Sequence, residues 1–251
     1  MNHILLKLSN RKTFFIGTFL LLSTGFICNS CLEQRLKETA TFFEGTGDIY
    51  VQKKKVDGEI VYAPYYYLHG NTSIHSASVE TPNGETVELK PYEFLDTYLK
   101  APAKEDFTPS MIPIGLYNFT GSFGDNKETF EISDNFNAHV INFPQIDSVG
   151  YDTTNFHIYV FWDAVNDAGI YKVNLLDETG KVVFDGPALT SASNTFVIEL
   201  NTEGWTTAPY KGDVFTLQLH AFSLDEDASE NNWFYNIECD TYSETQVMWG
   251  G

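Results

Sequence analysis

From Asp48 onward the chain is written in short alternating runs of apolar and polar residues, separated by turn formers; no long stretch keeps a 3.6-residue period. "DIYVQKK" predicts a strand, "VDG" a turn, and "EIVYAPYYYL" a second strand. Pro64 interrupts that second run and fits an edge position or a bulge. "SIHSASVE-TPNG-ETVELK" predicts a hairpin, because Pro82 restricts φ while Asn83 and Gly84 tolerate positive φ. Between Pro91 and Pro113 the pattern is less regular, and "PYEFLDTYLKA" is expected to make a helical turn. "IGLYNFTGSF-GDNK-ETFEIS" predicts another hairpin, with Phe130 and Ile132 alternating on its way out.

The second half alternates more cleanly. "FHIYVFWDAV" puts Ile158, Val160 and Trp162 on one face. "AGIYKVNLLDETGKVVF" does the same with Tyr171, Val173 and Leu175, and turns at Glu178-Thr179-Gly180. "TFVIEL" aligns Phe196, Ile198 and Leu200, and "GDVFTLQLHAF" aligns Phe215, Leu217, Leu219 and Ala221. The predicted class is all-β, as two tandem β-sandwiches. The first spans residues 48–144 and the second 145–251, with the boundary in "INFPQIDSVGYD".

Gly115-Leu116-Tyr117 resembles the Gly-x-Tyr that starts the penultimate strand of immunoglobulin-like domains. Residues 145–251 resemble a fibronectin type III module through Trp162 late in the second strand, Tyr171 opening the third, and the aromatic-x-Leu-x-Leu-x-Ala run in the sixth. Family members usually carry tyrosine where Phe215 stands, its hydroxyl bonding backbone at a corner. Phenylalanine fills the volume but forgoes that bond, on the order of 1 kcal/mol, unless another donor replaces it.

The N-terminus has a different pattern. Lys7, Arg11 and Lys12 precede an apolar run of about fifteen residues, shorter than the ~20 that span a bilayer as a helix. The run closes on Asn29-Ser30-Cys31, which resembles the lipobox of bacterial lipoproteins; Cys28 three positions upstream departs from the usual aliphatic residue. The resemblance implies a signal peptide over residues 1–30, lipidation of Cys31 and a tether over 31–47, with the chain held to the outer membrane of a Gram-negative cell through acyl groups alone. Leu32, Leu36, Ala40 and Phe43 fall at helical spacing within that tether, and Gly45 and Gly47 would end a helix there. A plain secretory signal or an uncleaved N-terminal anchor is the alternative.

Charge narrows the partners. Loss of the three basic residues of the leader takes the formal charge from -19 to -22. That argues against nucleic acid and against anionic lipid headgroups. With Cys28 removed and Cys31 acylated, only Cys239 remains, so each sandwich must stand on its core rather than on a disulfide.

Candidate chemistry is sparse. His69 and His75 flank a turn with no cysteine or aspartate cluster to complete a zinc set, and His139, His157 and His220 read as isolated. "LDEDASENN" crowds Asp225, Asp227 and Glu230 into one loop; it lacks the glycine and the closing glutamate of an EF-hand, so a solvated loop is expected, with calcium the alternative. Aromatics offer a third surface: among Tyr65, Tyr66 and Tyr67 at least one must point outward or meet another domain. Trp205, Tyr210, Trp233 and Tyr66, with Asn231 and Asn232, have the chemistry to stack on a sugar and accept its hydroxyl hydrogen bonds. The alternative is that these rings fill cores. No Gly-x-Ser-x-Gly elbow or Cys–His pairing is present, and no cofactor is expected. The expected function is a non-catalytic surface lipoprotein that binds glycan; the alternative is a structural or adhesive protein whose modules space or dock an envelope protein.

Overall fold

The computed structural model describes residues 43–92, 94–225, 228 and 236–251. The leader, Cys31 and the possible tether helix lie outside the described residues, as do Asp227, Glu230, Asn231, Asn232 and Trp233. Residues 43–251 form one compact unit. Among the described residues no helix is long and apolar enough to cross a membrane.

The first half contains β1 (Gly45–Val56), β2 (Glu59–Gly70), β3 (Ile74–Glu80), β4 (Thr86–Glu88), β5 (Lys90–Tyr92), β6 (Phe94–Lys100), β7 (Gly115–Phe123) and β8 (Glu128–Phe136). The second half contains β9 (Gln145–Asp152), β10 (His157–Asp163), β11 (Ile170–Leu176), β12 (Val182–Asp185), β13 (Leu189–Thr190), β14 (Thr195–Ile198), β15 (Val214–Leu224) and β16 (Ile237–Met248). The architecture is all-β, two sandwiches in tandem. In the first, β1, β2, β6 and β5 face the sheet β4-β3-β7-β8; in the second, β12, β11, β15 and β16 face β14-β10-β9.

The two sandwiches share a sheet. Its strand order is β12-β11-β15-β16-β1-β2-β6-β5, with β13 beside β11. The joint is β1 against β16, paired in parallel at Val51↔Cys239, Gln52↔Asp240 and Lys53↔Thr241. The other described ladders are antiparallel. β16 therefore closes the second sandwich at its C-terminal end and lends Cys239, fully buried, to the core of the first. The connector between the halves is stitched down as well. Lys53 Nζ donates to Ile141 O at 2.7 Å, Ser223 Oγ to His139 O at 2.7 Å and Ser243 Oγ to Pro144 O at 2.6 Å.

Most of the predicted faces find a core. Ile158, Val160, Trp162, Tyr171, Val173, Leu175, Leu217, Leu219 and Ala221 are buried in one cluster, where each large apolar side chain contributes about 1.5–3 kcal/mol. Ile49, Val51, Leu68, Val79, Tyr117 and Phe119 fill the other. Tyr117 Oη donates to Pro113 O at 2.7 Å, a hydroxyl tie four residues back at the start of the penultimate strand of that half. At the matching corner of the second half, where Phe215 has no hydroxyl, backbone from the end of β16 substitutes. Gly212 N donates to Trp249 O at 2.7 Å, and Trp249 N to Asp213 O at 2.8 Å.

Four expectations are corrected. "PYEFLDTYLKA" is not a helical turn but β5 and β6, because β2 offers an unpaired edge that Thr97–Lys100 fill. Gly45 and Gly47 do not end a helix; they open β1, and a side chain at Gly47 would strike the Phe119 ring. Pro64 lies inside the long sheet, yet it falls in the gap between the Tyr62–Thr108 bridge and the first β6 pair, Tyr66↔Lys100, where no ladder donor is required. Leu200 does not continue the inward face of β14. The strand stops at Ile198 and Leu200 is exposed, because Thr202 Oγ1 accepts from Glu199 N and turns the chain.

Candidate functional site

Where the two sandwiches join, three segments far apart in sequence bring carboxylates together. Asp48 comes from β1, Asp134 from β8 and Glu238 from β16; Asp225 stands at the foot of the β15–β16 connection, where its N–H donates to Asn236 O. An open cleft of about 540 Å³ is lined by Asp134, Asn135, Asn137, His139, Leu224, Asp225, Asn236 and Glu238. No lysine is among the described residues that line it, and the His139 ring is turned to Asp167, 3.8 Å away.

Backbone N–H groups hold these carboxylates in place. Asp134 Oδ2 accepts from Ile49 N at 2.9 Å, and its Oδ1 accepts from Asn135 N at 2.8 Å. Glu238 Oε1 accepts from Asn137 N at 2.9 Å and Oε2 from His139 N at 3.4 Å. Asp48 is completely shielded from solvent; its Oδ2 accepts one long bond from Ile237 N, and its Oδ1 has no hydrogen-bond partner. Burial, then the charges of Asp134 and Asp225, push the Asp48 carboxyl well above the usual carboxylate range, with Glu238 adding to the effect. Asp134 is also raised, chiefly by burial, against the lowering effect of its two N–H donors. Among the described residues no three His, Cys, Asp or Glu side chains converge tightly enough, as they stand, to hold a metal ion.

Sequence reasoning missed Asp48, Asp134 and Glu238. Asp48 did carry a local signal, a carboxylate inside a strand next to Ile49, but the convergence of positions 48, 134 and 238 follows only from the β1–β16 and β1–β8 neighbourhoods. Asp225 is the one member of the expected acidic loop that the described structure brings here.

The residues expected to stack on sugar do not form a platform. Tyr66 is buried and packs against Tyr117, with burial pushing its hydroxyl up to about 12. The period-2 alternation of β2 sends Tyr66 inward, between Tyr65 and Tyr67. Trp205 is half-buried between Phe184, Phe215 and Trp249, at ring separations of 5.0, 6.1 and 5.5 Å, and its Nε1 donates to Glu199 O. It completes the second core because β14 ends early and leaves that edge uncovered. Tyr210 alone of the described set is freely exposed, at 75 %.

The histidines do not assemble. His69 Nδ1 meets Thr97 Oγ1, and His75 Nε2 meets Gly124 O. His220 is not isolated: its Nδ1 lies 2.8 Å from Asp240 Oδ1, a buried pair on the outer face of the shared sheet, with Gln52 Nε2 donating to Asp240 Oδ2.

No protein-family model and no curated protein matches this chain. Solved structures give distant likenesses. One is a chain of a cytokine receptor complex, at 11 % identity and TM-score 0.31 over 81 % of this chain and 97 % of that one. Another is a tetra-tandem repeat in the extending region of a large adhesion protein, at 12 % identity and TM-score 0.23, covering 80 % of this chain and 49 % of that one. A third is the BSP domain of a biofilm-associated protein, at 14 % identity and TM-score 0.23, covering 80 % of this chain and 29 % of that one. The chain thus spans about half or less of the two adhesin-type structures. At such scores none bears on what this chain does, and the all-β architecture rests on its own strands.

Proposed function

We propose that the chain is a non-catalytic structural or adhesive surface protein that holds a protein partner, anchored through lipid on Cys31. The observation that carries this reading is the β1–β16 ladder. Tandem domains joined by a linker and a small interface move relative to each other by default. Here a ladder at Val51–Lys53 and a connector pinned by side-chain hydrogen bonds to Ile141, His139 and Pro144 tie the halves into one body. Such a body suits rigid presentation of a surface. Its two smaller sheets end on β4, β8, β14 and β9, strand edges of the kind to which a partner chain adds. Glycan binding loses support with Tyr66 in one core and Trp205 packed against the other.

A pull-down from envelope extract with the acylated chain tests the reading. The expected result is a stoichiometric protein partner whose retention ignores added sugars. Retention on a polysaccharide gel with no protein partner would count against it. Mass spectrometry of the mature N-terminus should find Cys31 acylated, and Cys31→Ala should release the chain from the membrane fraction. A bare Cys31 thiol removes the anchor from the proposal.

A further inference from the structure

We propose that a second cleft at the joint, where Lys53 and Lys55 meet the connector, binds an acidic segment of a partner protein and seats an aspartate or glutamate side chain against the two ammonium groups. The cleft holds about 520 Å³ and is walled by Lys53 and Lys55 of β1, Asn142 and Phe143 of the connector, and Asp163 and Asn166 from the end of β10 and the loop after it. Its walls thus come from both sandwiches. Phe143 gathers the charges: Lys53 Nζ lies 4.7 Å and Lys55 Nζ 4.9 Å from its ring centroid. Among the described residues neither lysine pairs with a carboxylate, Asp163 included.

Two cations gathered on one ring without a counterion are the unusual feature in a chain of formal charge -19. Lys53 is only 7 % exposed, yet its Nζ uses one of its three donors, on Ile141 O. Burial lowers its pKa from the ordinary lysine value, and the charge of Lys55 adds to that. A buried charge without a counterion is costly. An incoming carboxylate would take up the remaining Lys53 donors and relieve the repulsion between the two lysines. At physiological ionic strength charges farther than about 8 Å are largely screened, so these ammonium groups act on a ligand in the cleft more than the distant acidic surface does. A peptide carboxylate suits the walls better than other anions. A phosphate dianion would meet the charge of Asp163, whereas a peptide brings N–H groups for Asp163 to accept, beside the side-chain amides of Asn142 and Asn166. A sugar acid would want an open ring to stack on, and the Phe143 ring already carries both lysines. The inference names a docking chemistry for the protein partner put forward above and rests on that reading.

The test uses the full chain and a rhodamine-labelled hexaglutamate peptide, read by fluorescence anisotropy at about 50 mM salt, where surface charge is weakly screened. Unlabelled hexaglutamine, inorganic phosphate and polygalacturonate serve as competitors. Saturable binding of one peptide per chain is expected, weakened roughly tenfold by Lys55→Gln, further by Lys55→Glu, and unchanged by Lys90→Gln, whose lysine does not line the cleft. Lys53→Met keeps the aliphatic stem and should weaken binding likewise; if that variant does not fold, the Lys55 variants decide. No binding, binding that Lys55→Glu leaves intact, or equal competition by hexaglutamine overturns the proposal. So does equal displacement by phosphate, which marks a general anion site, or by polygalacturonate, which assigns the cleft to an acidic glycan. In the envelope pull-down, a stoichiometric partner retained equally by Lys55→Glu overturns the cleft and leaves the protein-partner reading standing; absence of any protein partner overturns that reading and the cleft's role with it.

Discussion

Asp48 and Asp134 are acids whose folded environment favours the protonated form. Their folded pKa values lie above the unfolded reference near 4, chiefly through burial. Between those values the folded chain binds more protons than the unfolded one, so stability falls as pH rises through the window and is lowest above it. The urea midpoint of the parent should therefore gain on that of Asp48→Asn as pH drops from 7.5 toward 5. Half-buried Asp152 and Asp177, held below the usual carboxylate range first by the side chains of Asn155 and Thr179 respectively, contribute stability that is lost only as pH falls through their lower values. Their window lies beneath that of Asp48. At Tyr117 the expectation is simpler. Tyr117→Phe removes one hydrogen bond from a buried side chain, costing about 1 kcal/mol and lowering the thermal midpoint by about 2–4 °C. Phe215→Tyr should gain little, because that corner is already closed by Trp249 backbone.

Among the elements, the β1–β2 hairpin was the easiest to read and β5–β6 the hardest. Asp57 and Gly58 both take positive φ, which a two-residue turn between right-twisted strands demands. A Cβ at Gly58 would meet open space, so Gly58→Ala isolates the backbone cost, about 1 kcal/mol; denaturant titration should show a lower midpoint with an unchanged slope. β6 escaped prediction because its alternation is short and its partner is a strand about 30 residues upstream that happens to leave an edge free. Local sequence holds Thr97 and Tyr98, which favour strands, but nothing local announces the edge.

In the whole molecule, the shared β16 sets cooperativity. A chain cut after position 144 loses Cys239 from its core and every hydrogen bond on one side of β1 at Val51–Lys53. Calorimetry of the full chain should show one transition, with calorimetric and van't Hoff enthalpies equal. The truncated chain should give a broadened or absent transition and lose near-ultraviolet dichroism. Two separate transitions in the full chain, or a truncated half as stable as the whole, would mean that the ladder does not couple the sandwiches.

Alternation and turn residues by themselves determined most of the strands, most of their buried faces and the all-β sandwich class. Those are local properties: a period of two commits each side chain to one face, and a burial-competent face must find another. Tertiary structure alone decided that β16 would cross to β1, that Trp205 would be spent closing a core, and that Asp48, Asp134 and Glu238 would meet. Each of these depends on register and neighbourhood between segments up to 190 residues apart. One residue's slip would send every side chain of a strand to its other face, and no pattern within a single strand records which neighbour it will take.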